Sequence, residues 1–125
     1  MTPESIAKHG SEHSHQVALM AWCAIEARNY PELRFIFAIP NGEARSVITG
    51  ARLRAAGVRS GVPDLFLPAP RPPRSGLFLE LKRPGGKTSA EQQRWIDELN
   101  KAGYLATVCY GWEEARTVIL TYLRY

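Results

Sequence analysis

Hydrophobic and polar positions along the chain change their period several times, and each change marks an element. From Ser11 to Arg28, Val17, Met20, Ala24 and Ala27 recur at three- and four-residue spacing, which predicts an amphipathic helix with Ser11 as its N-cap. Arg34 to Ile39 is rich in aromatic and branched residues and stops at Pro40-Asn41-Gly42, the pattern of a first strand. Residues 46 to 56 predict a short helix ended by Gly57, with Arg52 and Arg54 in its final turn, where cations complement the helix dipole. Asp64 to Leu67 and Gly76 to Lys82 predict two strands paired as a hairpin across a loop rich in Pro and Arg. Ser89, with Gln92 three residues on, makes a capping box for a helix from Ala90 to Ala102. Tyr104 to Tyr110 then reads as a fourth strand and Trp112 to Tyr122 as a last helix. The order α, β, α, β, β, α, β, α is that of an α/β protein, a small mixed β-sheet flanked by helices.

A chain of 125 residues has the size of one domain, taken here as residues 1–125. Hydrophobic residues at 45% and charged residues at 22% argue against disorder, coiled coil and collagen. No apolar run approaches the roughly 20 residues that cross a bilayer. Met1 to Gly10 shows no basic-then-apolar leader, so the expected location is the cytoplasm. Cys23 and Cys109 are too few for a disulfide scaffold and sit in apolar stretches, as buried inert thiols do.

Charge adds a sharper feature. The net charge is +4, yet residues 45 to 87 hold nine basic side chains and only two acids, Asp64 and Glu80, a local balance of +7. Such a segment suits a phosphate backbone, although a solvated basic surface would look the same.

Strand alternation puts Leu77, Leu79 and Leu81 on one face of the third strand and Phe78, Glu80 and Lys82 on the other. Glu80 and Lys82 alone would make an ordinary ion pair on the wet side of a sheet. The hairpin, however, brings Asp64 beside Glu80, and two converging carboxylates repel each other unless a cation lies between them. An all-oxygen site suits Mg²⁺ or Mn²⁺. With Lys82 placed to orient or deprotonate a water, and basic residues around, the set is equipped for phosphodiester hydrolysis.

Gly61-Val62-Pro63-Asp64, fifteen intervening residues, then Glu80-Leu81-Lys82 resembles the PD-(D/E)XK nuclease motif. Further segments resemble one branch, the VRR-NUC domain: Pro40-Asn41-Gly42 followed by Arg45, Gly57 through Leu65, Glu80 through Gly86, and Ser89 through Gln92 to Trp95. Glu12 with Gln16 fits as well, so the similarity spans roughly residues 11 to 110. The chain departs at the signature, with Val58-Arg59-Ser60 where the family name records Val-Arg-Arg. The resemblance implies a restriction-endonuclease-like core in which Asp64, Glu80 and the Leu81 carbonyl ligate the metal and Lys82 serves the water. Glu12 would complete that site or hold a second metal, unless it is simply an acid favoured at a helix N-terminus. Gln92 would bind a water or phosphate, unless it only closes the capping box. Arg45, Arg52, Arg59, Ser60, Arg83 and Lys87 are the candidate nucleic-acid contacts. Stand-alone proteins of this kind resemble viral and bacterial enzymes that dimerise and cut branched DNA, including Holliday junctions. A viral member would act in the host cytoplasm. Five of the twelve aromatics, Tyr104, Tyr110, Trp112, Tyr122 and Tyr125, lie near the C-terminus and would serve either a homodimer contact or the core.

His9-Gly10-Ser11-Glu12-His13 matches the H-x-x-E-H pattern of inverted zincin peptidases, but Gly10 and Ser11 interrupt the helix that pattern needs. His13 and His15 are then surface residues or groups supporting Glu12. The competing reading from another class is a non-catalytic nucleic-acid-binding module that uses the basic segment, its acids being structural.

Overall fold

The computed structural model describes residues 1–40 and 47–124. Among them are helices α1 (Pro3–Ala7), α2 (Glu12–Glu26), α3 (Val47–Ala55), α4 (Ala90–Lys101) and α5 (Trp112–Leu123). The strands are β1 (Phe37–Ala38), β2 (Leu65–Leu67), β3 (Leu77–Lys82) and β4 (Leu105–Tyr110). They form one mixed sheet in the order β1-β2-β3-β4: the first three are antiparallel, and β4 runs parallel to β3 after the α4 crossover.

The sheet divides two environments. Leu65, Leu67, Leu77, Leu79, Leu81 and Cys109 pack with Ala18, Leu19, Trp22 and Cys23 of α2 and with Trp112, Ala115 and Ile119 of α5, forming the main core. The opposite face, with Phe66, Phe78, Glu80 and Lys82, lies on the side of α4, whose buried residues are Gln92 and Ile96. Burial pushes both cysteine thiols up to about 12, so they are inert at neutral pH.

Three expectations need correction. The first strand shrinks to two residues because Pro31 opens a 3-10 turn over Pro31–Phe35. Proline's fixed φ and the lost N–H suit a helical start, and the aromatic Phe35 and Phe37 stay exposed. The buried stripe of α2 is His15, Ala18, Leu19, Trp22 and Cys23, while Val17 and Ala24, on the stripe first assigned, face solvent. An additional helix, α1, precedes α2, closed by a Thr2–Ser5 capping box with Pro3 in its first turn. Ser11 does cap α2, its hydroxyl accepting from the Ser14 N–H, and the Ser89–Gln92 box opens α4.

Candidate active site

The hairpin register pairs Leu65 with Leu79 and Phe66 with Phe78, so one further step sets Asp64 opposite Glu80. Leu81 lies beyond the last β2 pair, and its N–H donates to Asp64 Oδ2 at 2.8 Å. A carboxylate thus replaces the missing strand partner. Asp64 is held from the other side by the turn before it. Gly61 has φ +86°, and a Cβ there would fall 2.5 Å from Glu91 Cγ on α4. Only glycine lets this turn press so closely on the helix.

Glu80 and Lys82 are 1% and 7% exposed, which overturns the wet-face reading: Gln92 of α4 meets Glu80, and Glu12 of α2 reaches Lys82. Glu80 Oε2 accepts from Gln92 Nε2 at 3.3 Å and lies 3.7 Å from Lys82 Nζ. Glu80 Oε1 is buried with no hydrogen-bond partner among the described residues. Burial, and next the negative charge of Asp64, pushes the Glu80 carboxyl up to about 8. Burial likewise raises Asp64, against the Leu81 N–H that favours its ionised form. Gln92 closes the capping box, its Oε1 accepting from the Ser89 N–H, and its Nε2 is turned to Glu80.

Glu12 opens α2, its half-exposed carboxylate lies 3.9 Å from Lys82 Nζ, and its charge acts on Asp64 and Glu80 as well. Among the described residues no three His, Cys, Asp or Glu side chains gather into a metal-binding group. The structure therefore brings two carboxylates and a lysine together, with Glu12 joined to them through the lysine. As a test of fit, the donor set is all oxygen, and one buried carboxylate oxygen is left without a proton donor. Those are properties that Mg²⁺ and Mn²⁺ accept and that a closed protein core does not.

The basic segment is not one surface. Arg71 bonds Glu32 and the Leu123 and Pro70 carbonyls, and Arg74 bonds the Tyr104 carbonyl, so both tie loops together at the end of the sheet away from Asp64. Lys82 is interior. Arg52, Arg59, Ser60, Arg83 and Lys87 are exposed, with Arg59 donating to the Arg54 carbonyl at 3.2 Å, and Arg45 lies outside the described residues. Of the C-terminal aromatics, Trp112 and Tyr122 are core, Tyr104 packs edge-on to Phe66 and Phe78, Tyr110 is exposed, and Tyr125 lies outside the described residues. His9 falls in the turn before α2 and His13 faces solvent. His15 is buried, and its Nδ1 accepts from the Trp112 N–H at 3.1 Å. Sequence reasoning took that residue as a surface group or a support for Glu12 and did not see it as buried, although its spacing from Ala18, Leu19, Trp22 and Cys23 was the available signal.

A family model for the VRR-NUC domain matches residues 4–113. The chain belongs to the VRR-NUC family. A solved structure of a VRR_NUC domain protein superposes with a TM-score of 0.77 at 28% identity, covering 91% of this chain and 88% of that one. No match is found among curated proteins. VRR-NUC membership carries a nuclease-type fold, and nuclease domains of this family usually work with a divalent metal on DNA. No helix of the described residues is long and apolar enough to cross a membrane.

Proposed function

We propose that this VRR-NUC protein is a Mg²⁺- or Mn²⁺-dependent DNA endonuclease that hydrolyses phosphodiester bonds in branched DNA, such as Holliday junctions, as a cytoplasmic homodimer. The observation that carries the reading is buried Glu80 beside part-buried Asp64, with Lys82 next to it and Glu80 Oε1 unpartnered. Folding two acids into mutual repulsion costs stability, and the cost is offset when a cation binds between them. Asp64, Glu80 and the Leu81 carbonyl are the oxygens that would hold it. When bound, a divalent cation lowers the pKa of a water and neutralises phosphate oxygens.

The protein's own groups do the rest. Gln92 holds Glu80 in one orientation, and the Leu81 N–H does the same for Asp64. Lys82 Nζ, restrained between Glu80 and Glu12, directs its protons at a water aligned for in-line attack and offsets charge on the pentavalent phosphate. The exposed Arg52, Arg59, Arg83 and Lys87 hold the flanking backbone. A domain with a radius of gyration of about 14 Å spans little of a four-way junction. Two copies about a two-fold axis would present two sites to its two symmetric strands.

The test is cleavage of duplex, nicked, flapped and four-way-junction DNA with Mg²⁺ or Mn²⁺. Lys82→Ala should lower the rate by about 10²–10³-fold, and Glu80→Ala should abolish the heat of Mn²⁺ binding in calorimetry. Cleavage of none of these DNAs, with salt-dependent binding that is indifferent to Asp64→Ala, would establish the non-catalytic binding module instead. Light scattering showing a monomer at micromolar concentration would rule out paired incision.

A further inference from the structure

Helix α5 starts behind Gly111, which has no side chain to cap it, and its first N–H, that of Trp112, donates instead to His15 Nδ1 on α2 at 3.1 Å. Accepting this bond makes His15 a neutral imidazole with its proton on Nε2. Gly111 donates its own N–H to the Lys82 carbonyl at 2.7 Å, and the His15 ring lies against it together with Pro84. Glu12 precedes His15 by three residues, on the same face of α2, and reaches Lys82 Nζ at 3.9 Å. Helix α2 therefore grips Lys82 twice: at the ammonium through Glu12, and at the backbone through His15, Trp112 and Gly111. An apolar residue at position 15 would continue the buried stripe equally well, but it would leave the buried Trp112 N–H unpaired.

We infer that His15 is a positioning residue for Lys82: it fixes the start of α5 against the end of β3 and so sets where the ammonium sits relative to Asp64 and Glu80. This rests on the reading of Lys82 as the group that serves the water. The variants are His15→Ala, which removes the acceptor, and His15→Asn, whose Oδ1 takes the place of Nδ1. His15→Gln stands in for Ala if that variant does not fold, since its amide oxygen lies one bond too far out. Tyr122→Phe is the structural control, losing a buried hydrogen bond to the Ala69 carbonyl away from the site.

Two readouts are taken, the kinetics of junction cleavage and, in metal-free protein without DNA, the Lys82 ¹³Cε NMR signal. Removing the acceptor should lower kcat by at least about tenfold with KM nearly unchanged, and should move the Lys82 signal. Asn should return both towards wild type, and Tyr122→Phe should lower Tm while leaving both in place. The inference is overturned if His15→Ala leaves the Lys82 signal unmoved, if Asn rescues no better than Ala, or if Tyr122→Phe loses kcat to the same extent. Should wild type cleave nothing while the Lys82 signal still follows His15, the nuclease reading falls and the positioning stands.

Discussion

Glu80 is an acid that folding places where its charge is least welcome, and this gives the metal-free protein a pH dependence of definite sign. Its folded pKa of about 8 lies above the ordinary carboxylate value, so between roughly pH 4.5 and 8 the folded chain holds a proton that the unfolded chain releases. Stability from this group is complete at the acid end of that window and declines as pH rises through it. Thermal melts of metal-free protein should accordingly give a Tm that falls from pH 5.5 to 8, and Glu80→Gln should flatten the slope. A slope unchanged in Glu80→Gln would show that the charge is not buried as described. The two acids and the lysine were legible in the sequence because strand alternation and a hairpin suffice to bring positions 64, 80 and 82 together. The burial of Glu80 and Lys82 was not, since it depends on Gln92 of α4 and Glu12 of α2 reaching a face that alternation alone leaves open. The burial of His15 was missed for a different reason: a stripe assigned through Val17 and Met20 is rotated by one residue from the true one, and the rotation takes position 15 off the buried face.

At the level of elements, precision at the site comes from backbone approach as much as from side chains. Gly61 and Gly57 both have positive φ, +86° and +105°, but a Cβ at Gly57 meets nothing within 4 Å whereas one at Gly61 runs into Glu91 of α4. Gly57→Ala should show only the conformational penalty of about 1–2 kcal/mol. Gly61→Ala should cost more in Tm and also lose cleavage, because it pushes the turn carrying Asp64 away from the helix carrying Gln92. Equal losses in the two variants would mean that the contact with α4 is not what seats Asp64. The edge of the sheet has a comparable device. Asn100 on α4 bonds both the N–H and the carbonyl of Ala106 in β4, which occupies groups that would otherwise invite another strand. Asn100→Ala should lower stability by about 1–3 kcal/mol and increase self-association on heating, measurable by light scattering during the melt. These features follow from how α4 returns across β3 and β4, and short-range pattern does not report that geometry; the capping boxes, by contrast, are local and were readable directly.

Across the whole molecule, the structure separates the +7 segment into groups with different work. Arg71 and Arg74 join the loop before β3 to Glu32, to the end of α5 and to the start of β4. Lys82 is enclosed in the site, and the exposed set consists of Arg52, Arg54, Arg59, Arg83 and Lys87 among the described residues. Charge counted along the chain merges all of these, because whether a guanidinium meets solvent or a carbonyl is decided by contacts as distant as that of Arg71 with Leu123. The separation makes a prediction about binding. Each phosphate contact contributes about one to the slope of log affinity against log salt. Arg59→Ala, Arg83→Ala and Lys87→Ala, measured without divalent metal so that nothing is cut, should each weaken DNA binding and reduce that slope by about one. Arg71→Ala should leave the slope as in wild type and lower Tm instead, since its partners are protein oxygens. If Arg71→Ala reduced the slope as much as Arg83→Ala does, the DNA would have to run past the far end of the sheet, and the assignment of the exposed set as the backbone-binding residues would be wrong.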